Sequence, residues 1–252
     1  MNNTTKSSSI EKSIRILKIL SENPYEYKIS DLALKLDMNR TTVHRIVNVL
    51  ENEGMIIKDE ITLKYKLGPY TYHMGNVFIQ NANYENNLIN ILNELSNVTR
   101  ESVGFARRDG NNIISIYCIE THQPIKMGYK TGSFFPLNRG CYGKCLMAYH
   151  DEEIVRKLVY SQKFEKVCKN TIIDPEELLL EYKKIKEQGF VLSIEETFPY
   201  AIGVGIPIFS IDGKVRNCIA ISFFKDNDMN EKIDNYKKML LSYSQELTKL
   251  AL

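Results

Sequence analysis

Between Met38 and Leu50 the chain runs MNRTTVHRIVNVL, and no acidic residue interrupts it. Asn39, Arg40, Thr41, Thr42, His44 and Arg45 crowd its first half. A guanidinium pairs with the acceptor edge of guanine or with phosphate oxygens, and an asparagine amide matches adenine. Threonine hydroxyls suit phosphate, and threonine methyls suit the thymine methyl. On one outward helix face, these residue types are what is needed to read a DNA major groove. Taken alone, the face is equally that of an ordinary solvated helix with two arginines. Its surroundings decide between the two.

Other reactive residue types lack the spacing that chemistry needs. Five cysteines (Cys118, Cys141, Cys145, Cys168, Cys218) make an odd set with no CxxC. Cys141 and Cys145 are four apart and share a helical face, but two thiolates are too few for a closed zinc site and no histidine stands at ligand spacing. A buried small hydrophobe is the common role of such a thiol, with a redox pair as the alternative. His44, His73, His122 and His150 are scattered, and nothing locates a base beside a thiol. Asp109-Gly110-Asn111-Asn112 reads as a turn rather than a calcium loop, and no phosphate loop or dinucleotide fingerprint is present. Glu195-Glu196 is a like-charge pair without a positioned acid partner. No metal or cofactor is expected, and an enzyme reading would have Cys141 as its sole reactive group.

The elements that position residues 39–45 follow from periodicity. Residues 1–9 are polar and expected to be disordered. A first helix carries Ile14, Leu17, Ile19 and Leu20 at helical spacing, capped by Ser9 or Ser13 and stopped at Asn23-Pro24. Ser30 is a good N-cap for a second, with Leu32, Ala33 and Leu36 as its buried stripe. Asn39 caps a third, in which Val43, Ile46, Val47 and Leu50 face the core. Arg40, Thr41, Thr42, His44, Arg45 and Asn48 then face outward, and Gly54 is its left-handed C-cap. Residues 55–58 and 64–68 form a hairpin directly after this helix-turn-helix, a wing whose Lys58, Lys64 and Lys66 are placed to meet phosphates.

Residues 69 to about 84 read as a linker helix, followed by another helix with Leu88, Ile91, Leu92 and Leu95. From Ser102 the period becomes two. A hairpin turns at Asp109-Gly110, a short strand is expected at 126–129, and a helix is expected to begin near Gly143. A well-signed helix has Asp174 as cap, Pro175 in the first turn, Glu177 completing a capping box and Gly189 at its end. Three strands and a final helix from about Asn230 close the chain. This is an α+β fold. The expected division is a winged helix-turn-helix over 1–68, a linker over 69–84, and an antiparallel-sheet domain over 85–252.

Bulk composition is that of a soluble globular protein: 252 residues, 43% hydrophobic, 25% charged, net charge +2. Residues 1–68 hold eleven Lys/Arg against nine Asp/Glu, and the rest balances at 22 against 22. No global basic character announces nucleic acid, but a specific reader needs only a local basic face. The stretch MNNTTKSSS has no apolar run, so it is not expected to be a signal peptide, and no run approaches the ~18 apolar residues of a membrane span. The cytoplasm is the expected compartment, with no membrane partner.

Over nearly its whole length the chain resembles the IclR family of transcriptional regulators. The N-terminal match is SIEKSIRILKILSEN, then ISDLALKLDMNRTTVHRIVNVLENEGMI, then YKLGPYTYHMG. The C-terminal match is FFPLNRGCYGK, then KKIKEQGFVLSIEETFPYAIGVGIPIFS, then IAIS. Gly189, Ser193, Glu196, Val204, Gly205, Ile208 and Phe209 fit the family signature. Gly203 stands where Cys, Ser or Ala is usual, and Ser210 where Asp or Asn is usual. The resemblance implies a winged helix-turn-helix joined by a helix to a GAF-like effector-binding domain, acting as a homodimer or homotetramer on a double-stranded DNA operator. It also implies a small organic effector, carboxylate or aromatic, in a pocket at Cys141, Tyr142, Ser193, Gly203, Ala220 and Ser222. Backbone N–H groups of residues 140–143 at a helix start favour a carboxylate, and Ser193 and Ser222 add hydroxyls. Tyr142 is bulky where small residues are common, so a constitutive DNA binder with a vestigial pocket is the alternative.

Overall fold

The structure, a computed structural model, describes residues 8–81, 86–120 and 126–250. The end of the expected linker at Tyr84 and His122 lie outside them. The chain divides into two compact units, Met1–Ala82 and Asn83–Leu252.

The first unit opens with α1 (Ser9–Leu20), α2 (Ile29–Leu36) and α3 (Arg40–Asn52). Helix α1 begins inside the stretch expected to be disordered, because Ser8 and Glu11 form a reciprocal capping box. Its centre is Ile16, fully buried with Leu20, whereas Ile14 is 47% exposed. Ser30 is not the cap of α2. The cap position is Lys28 and the helix starts at Ile29, two residues earlier than a Ser30 cap implies, and the Lys28 backbone N–H donates to the Asp31 carboxylate at 3.2 Å. Helix α3 matches its pattern: Val43, Ile46, Val47 and Leu50 are buried against Leu32, Ala33 and Leu36. It ends in a Schellman arrangement, with Gly54 at φ +69° and Met55 N–H donating to Leu50 C=O at 2.9 Å.

The wing is short, β1 (Ile56–Lys58) paired antiparallel with β2 (Tyr65–Leu67). Tyr27 adds a one-residue bridge to Tyr65, so the strap between α1 and α2 is tied to the hairpin. Helix α4 (Pro69–Asn81) follows.

The second unit is built on a five-stranded antiparallel sheet of order β4-β3-β7-β6-β5. In chain order its elements are α5 (Asn86–Thr99), β3 (Ser102–Asp109), β4 (Asn112–Ile119), α6 (Gly140–Ala148), α7 (Glu152–Ser161), α8 (Pro175–Gln188), β5 (Val191–Ile194), β6 (Ala201–Phe209), β7 (Val215–Phe224), α9 (Met229–Ser242) and α10 (Ser244–Leu250). Strand alternation sorts two cores. Ile219, Ile221 and Phe223 face α5, α9 and α10, together with Ile202, Val204 and Ile206. Cys218 and Ala220 face α6, behind which α7 and α8 pack.

Three local expectations change. No strand forms at 126–130; the residues that pair with β4 come later, where Ser115 N–H donates to Ser133 C=O and Phe135 N–H to Ile113 C=O, both at 2.9 Å. The closing helix breaks at Tyr243 into α9 and α10. Helix α6 starts at Gly140, three residues before Gly143. Helix α8 has Asp174 Oδ1 accepting from Glu177 N–H at 2.9 Å, Pro175 in the first turn and Gly189 at its end. Among the described residues no helix is long and apolar enough to cross a membrane.

Candidate nucleic-acid interface and ligand cavity

The outward face of α3 is set by its inward one. With Val43, Ile46, Val47 and Leu50 buried, the helical period leaves Arg40, Thr41, His44, Arg45 and Asn48 exposed and Thr42 half-buried. Asn39 caps the helix: its Oδ1 accepts from Thr41 N–H at 2.8 Å, which leaves its amide N–H donors to reach outward. His44 Nδ1 and the Asn48 amide lie 3.3 Å apart, so these side chains share one exposed patch.

The wing lysines are less equal than their spacing suggests. Lys64 is paired with Glu26 at 2.6 Å, an acidic residue on the strap before α2. Lys58 is half-buried and 3.5 Å from Glu60. Lys66 is exposed and helps hold the Asp59 carboxyl below its usual range, after the Thr62 and Ile61 hydrogen bonds that do most of it.

In the second unit, Cys141, Tyr142, Ser193, Gly203 and Ser222 do line one cavity, joined by Tyr129, Phe135, Pro136, Arg139 and Thr197. Ala220 is fully buried and lies outside this lining. On β7 it shares the Cys218 face that α6 covers, one pair before Ser222 reaches the opening.

The cavity holds only about 30 Å³, about the liquid volume of one water. Tyr142 forms part of its wall. Its ring stacks at 4.6 Å on Phe135, and its hydroxyl sits where a Cβ on residue 104 would be, a space that Gly104 leaves open. A second replacement compensates nearby. A Cβ on Gly203 would stand 2.6 Å from Cys141 Sγ, so the thiol takes the volume that a side chain on β6 would otherwise occupy. Burial pushes the Cys141 thiol far above its usual pKa, which is the opposite of an activated nucleophile.

The helix start expected to receive a ligand carboxylate already holds one. Gly140 N–H donates to Glu196 Oε2 at 2.9 Å, and Ser193 Oγ–H donates to the same oxygen at 2.9 Å. Lys144 Nζ reaches Glu196 Oε1 at 2.5 Å, Glu181 Oε1 at 2.8 Å and Leu192 C=O at 2.9 Å. All three ammonium protons are thereby used, and Lys144 is fully buried. Burial alone would lower the Lys144 pKa, but Glu196 and Glu181 outweigh it and hold it above its usual value. Burial lifts the Glu196 carboxyl, against Lys144, Ser193 and Gly140. Three donors on one carboxylate mark it as ionised and the pair as a buried salt bridge. A lone lysine within the apolar run GCYGKCLMA is the available sequence signal for this network. Its partners are 37 and 52 residues away, which no local pattern supplies.

A sequence model of the bacterial transcriptional regulator IclR C-terminal domain matches residues 78–249, and one of the IclR helix-turn-helix domain matches residues 9–60. The HTH-type transcriptional regulator KdgR of Dickeya chrysanthemi is 27% identical over 230 residues, covering 90% of this chain and 75% of that protein. Among solved structures, an IclR transcriptional regulator from Alicyclobacillus acidocaldarius superposes with a TM-score of 0.82 at 23% identity, over 98% of this chain and 100% of that one. An IclR homolog from Microbacterium hydrocarbonoxydans, complexed with 4-hydroxybenzoate, gives 0.79 at 18% identity, over 97% and 99%.

Proposed function

Since the chain belongs to the IclR family of DNA-binding transcriptional regulators, we propose that α3 reads a double-stranded operator and that a small organic effector in the second unit modulates that binding. The outward face of α3, acid-free up to Leu50, carries the first part: Arg40, Thr41, His44 and Arg45 are exposed together on a helix whose other face is locked into a core. Thr42, the Asn39 amide and Lys66 complete the surface, and Lys58 and Lys64 join it when DNA phosphates displace Glu60 and Glu26. The chain acts in the cytoplasm as a homodimer or homotetramer. Helix α4 supports the pairing, because Tyr72 is 77% exposed and Tyr70 52%, beside exposed Met74, Val77 and Phe78. A dimer reads half-sites about one helical turn, ~34 Å, apart. The effector acts by population shift, binding one arrangement of the paired chains better than another.

The occupied state of the small cavity favours a second reading, a constitutive regulator whose pocket Tyr142 has closed. Thermal melts against a panel of small organic acids separate the two, with unmodified protein and Tyr142→Ala run side by side. A ligand at about a hundred times its Kd adds about 2.7 kcal/mol, a Tm rise of roughly 5–10 °C for a unit of this size. The effector reading expects that rise in the unmodified protein. The constitutive reading expects it only in Tyr142→Ala, measured from that variant's own lowered baseline. No rise in either variant would remove the cavity from both readings.

A further inference from the structure

A larger opening lies on the other side of the Phe135-Pro136 segment. It holds about 390 Å³, between the β3–β4 turn, residues 134–139 and the segment that follows α7. That volume is within the range of small-molecule sites, and some ten times that of the cavity beside Tyr142. Phe134, Phe135 and Phe164 supply apolar walls, and Phe134 is 69% exposed although it bridges to β4. Arg139 and Lys163 supply positive charge against the single carboxylate of Glu165.

Arg139 gives the opening its chemistry. Its Nε is buried, and among the described residues it has no hydrogen-bond partner. A guanidinium N–H removed from water and left unpaired costs more than an ordinary missing hydrogen bond, and a carboxylate is the acceptor that satisfies it best, by a charge-assisted pair. Lys144 and Lys64, by contrast, each have carboxylate partners. We propose that this opening is a second ligand site, which shares Phe135, Pro136 and Arg139 with the cavity beside Tyr142 but lies on their other side, and that it takes a small planar carboxylate with an aromatic body. The carboxylate pairs with Arg139, and the ring lies among the phenylalanines. Arg139 is also the N-cap residue of α6, so an anion held there sits one residue from the Gly140–Glu196 contact. The site does not depend on whether the small cavity takes an effector.

The test is calorimetric titration of the full chain with benzoate, and with benzamide as the uncharged control. Benzoate is expected to bind at least about tenfold more tightly than benzamide, because only the charged ligand completes Arg139. Arg139→Gln is expected to erase that preference. Phe134→Ala and Lys163→Ala, which line this opening and not the small cavity, are each expected to weaken benzoate several-fold while leaving the melting temperature of the free protein in place. Absence of benzoate binding overturns the proposal. So does binding that responds to Arg139→Gln but not to Phe134→Ala or Lys163→Ala, since the ligand would then be in the small cavity. Absence of benzoate binding leaves the effector reading of the small cavity untouched, whereas benzoate held in the small cavity would support it; Phe134→Ala run beside the unmodified protein in the melts separates a rise that comes from this opening.

Discussion

Replacing Arg40 and Arg45 together by alanine is expected to lower operator affinity by roughly 10²–10⁴-fold, from about 1–3 kcal/mol for each guanidinium that pairs with a base edge. If either side chain meets a phosphate instead, the slope of log affinity against log salt flattens by roughly 0.9 for each phosphate that is no longer neutralised. The two outcomes separate in one experiment, fluorescence anisotropy of a labelled promoter fragment at several salt concentrations. The double variant should melt like the unmodified protein, because both arginines are exposed and α3 is held by Val43, Ile46, Val47 and Leu50, by the Asn39 cap and by its Schellman end. A loss of affinity can then be assigned to the DNA-facing side chains rather than to unfolding. Unchanged affinity together with an unchanged salt slope would show that this face does not touch DNA.

Lys144→Ala is expected to destabilise the second unit by about 3–5 kcal/mol, because it strands the buried carboxylate of Glu196 without its cation. For a unit of this size the loss reads as a fall of roughly 6–20 °C in Tm. The first unit shares none of these residues, so a transition belonging to it should stay in place during calorimetry. The double variant Lys144→Met with Glu196→Gln should recover part of the loss, since no charge is then left uncompensated next to Gly140 and Ser193. Glu181, at 20% side-chain exposure, retains water on its own account. A single-variant loss no greater than that of an exposed lysine would mean that the Lys144–Glu196 pair contributes nothing to holding α6.

The stripe of α3, its Asn39 cap and its Gly54 end are all readable in the sequence because each is a relation among residues within about one or two helical turns. The same holds for Asp174 and Pro175 at the start of α8, and for the apolar runs of β6 and β7. Membership of the IclR family is legible for the same reason, as an ordered series of such local patterns. Where expectation and structure differ, the cause is a local competition that sequence alone leaves balanced. Ser30 has the chemistry of a cap, but Asp31 reaches back to the residue 28 N–H and moves the helix start to Ile29. Ile14 and Ile16 both fit a helical stripe, and packing chooses Ile16.

The candidate cavity is harder to read. Its residues can be named one by one, but whether they leave space depends on volumes that meet only in the folded chain: the Tyr142 hydroxyl over Gly104, and Cys141 Sγ over Gly203. The charges behave likewise. In the sequence, Lys64 is a free wing lysine and the α6 N-terminus an open anion site. The fold gives Lys64 to Glu26 and the helix start to Glu196. Periodicity and capping are short-range and are written in neighbouring residues. Which carboxylate neutralises which cation, and which ring fills which gap, is settled by approaches between residues tens of positions apart, and those exist only once the sheet and helices have packed.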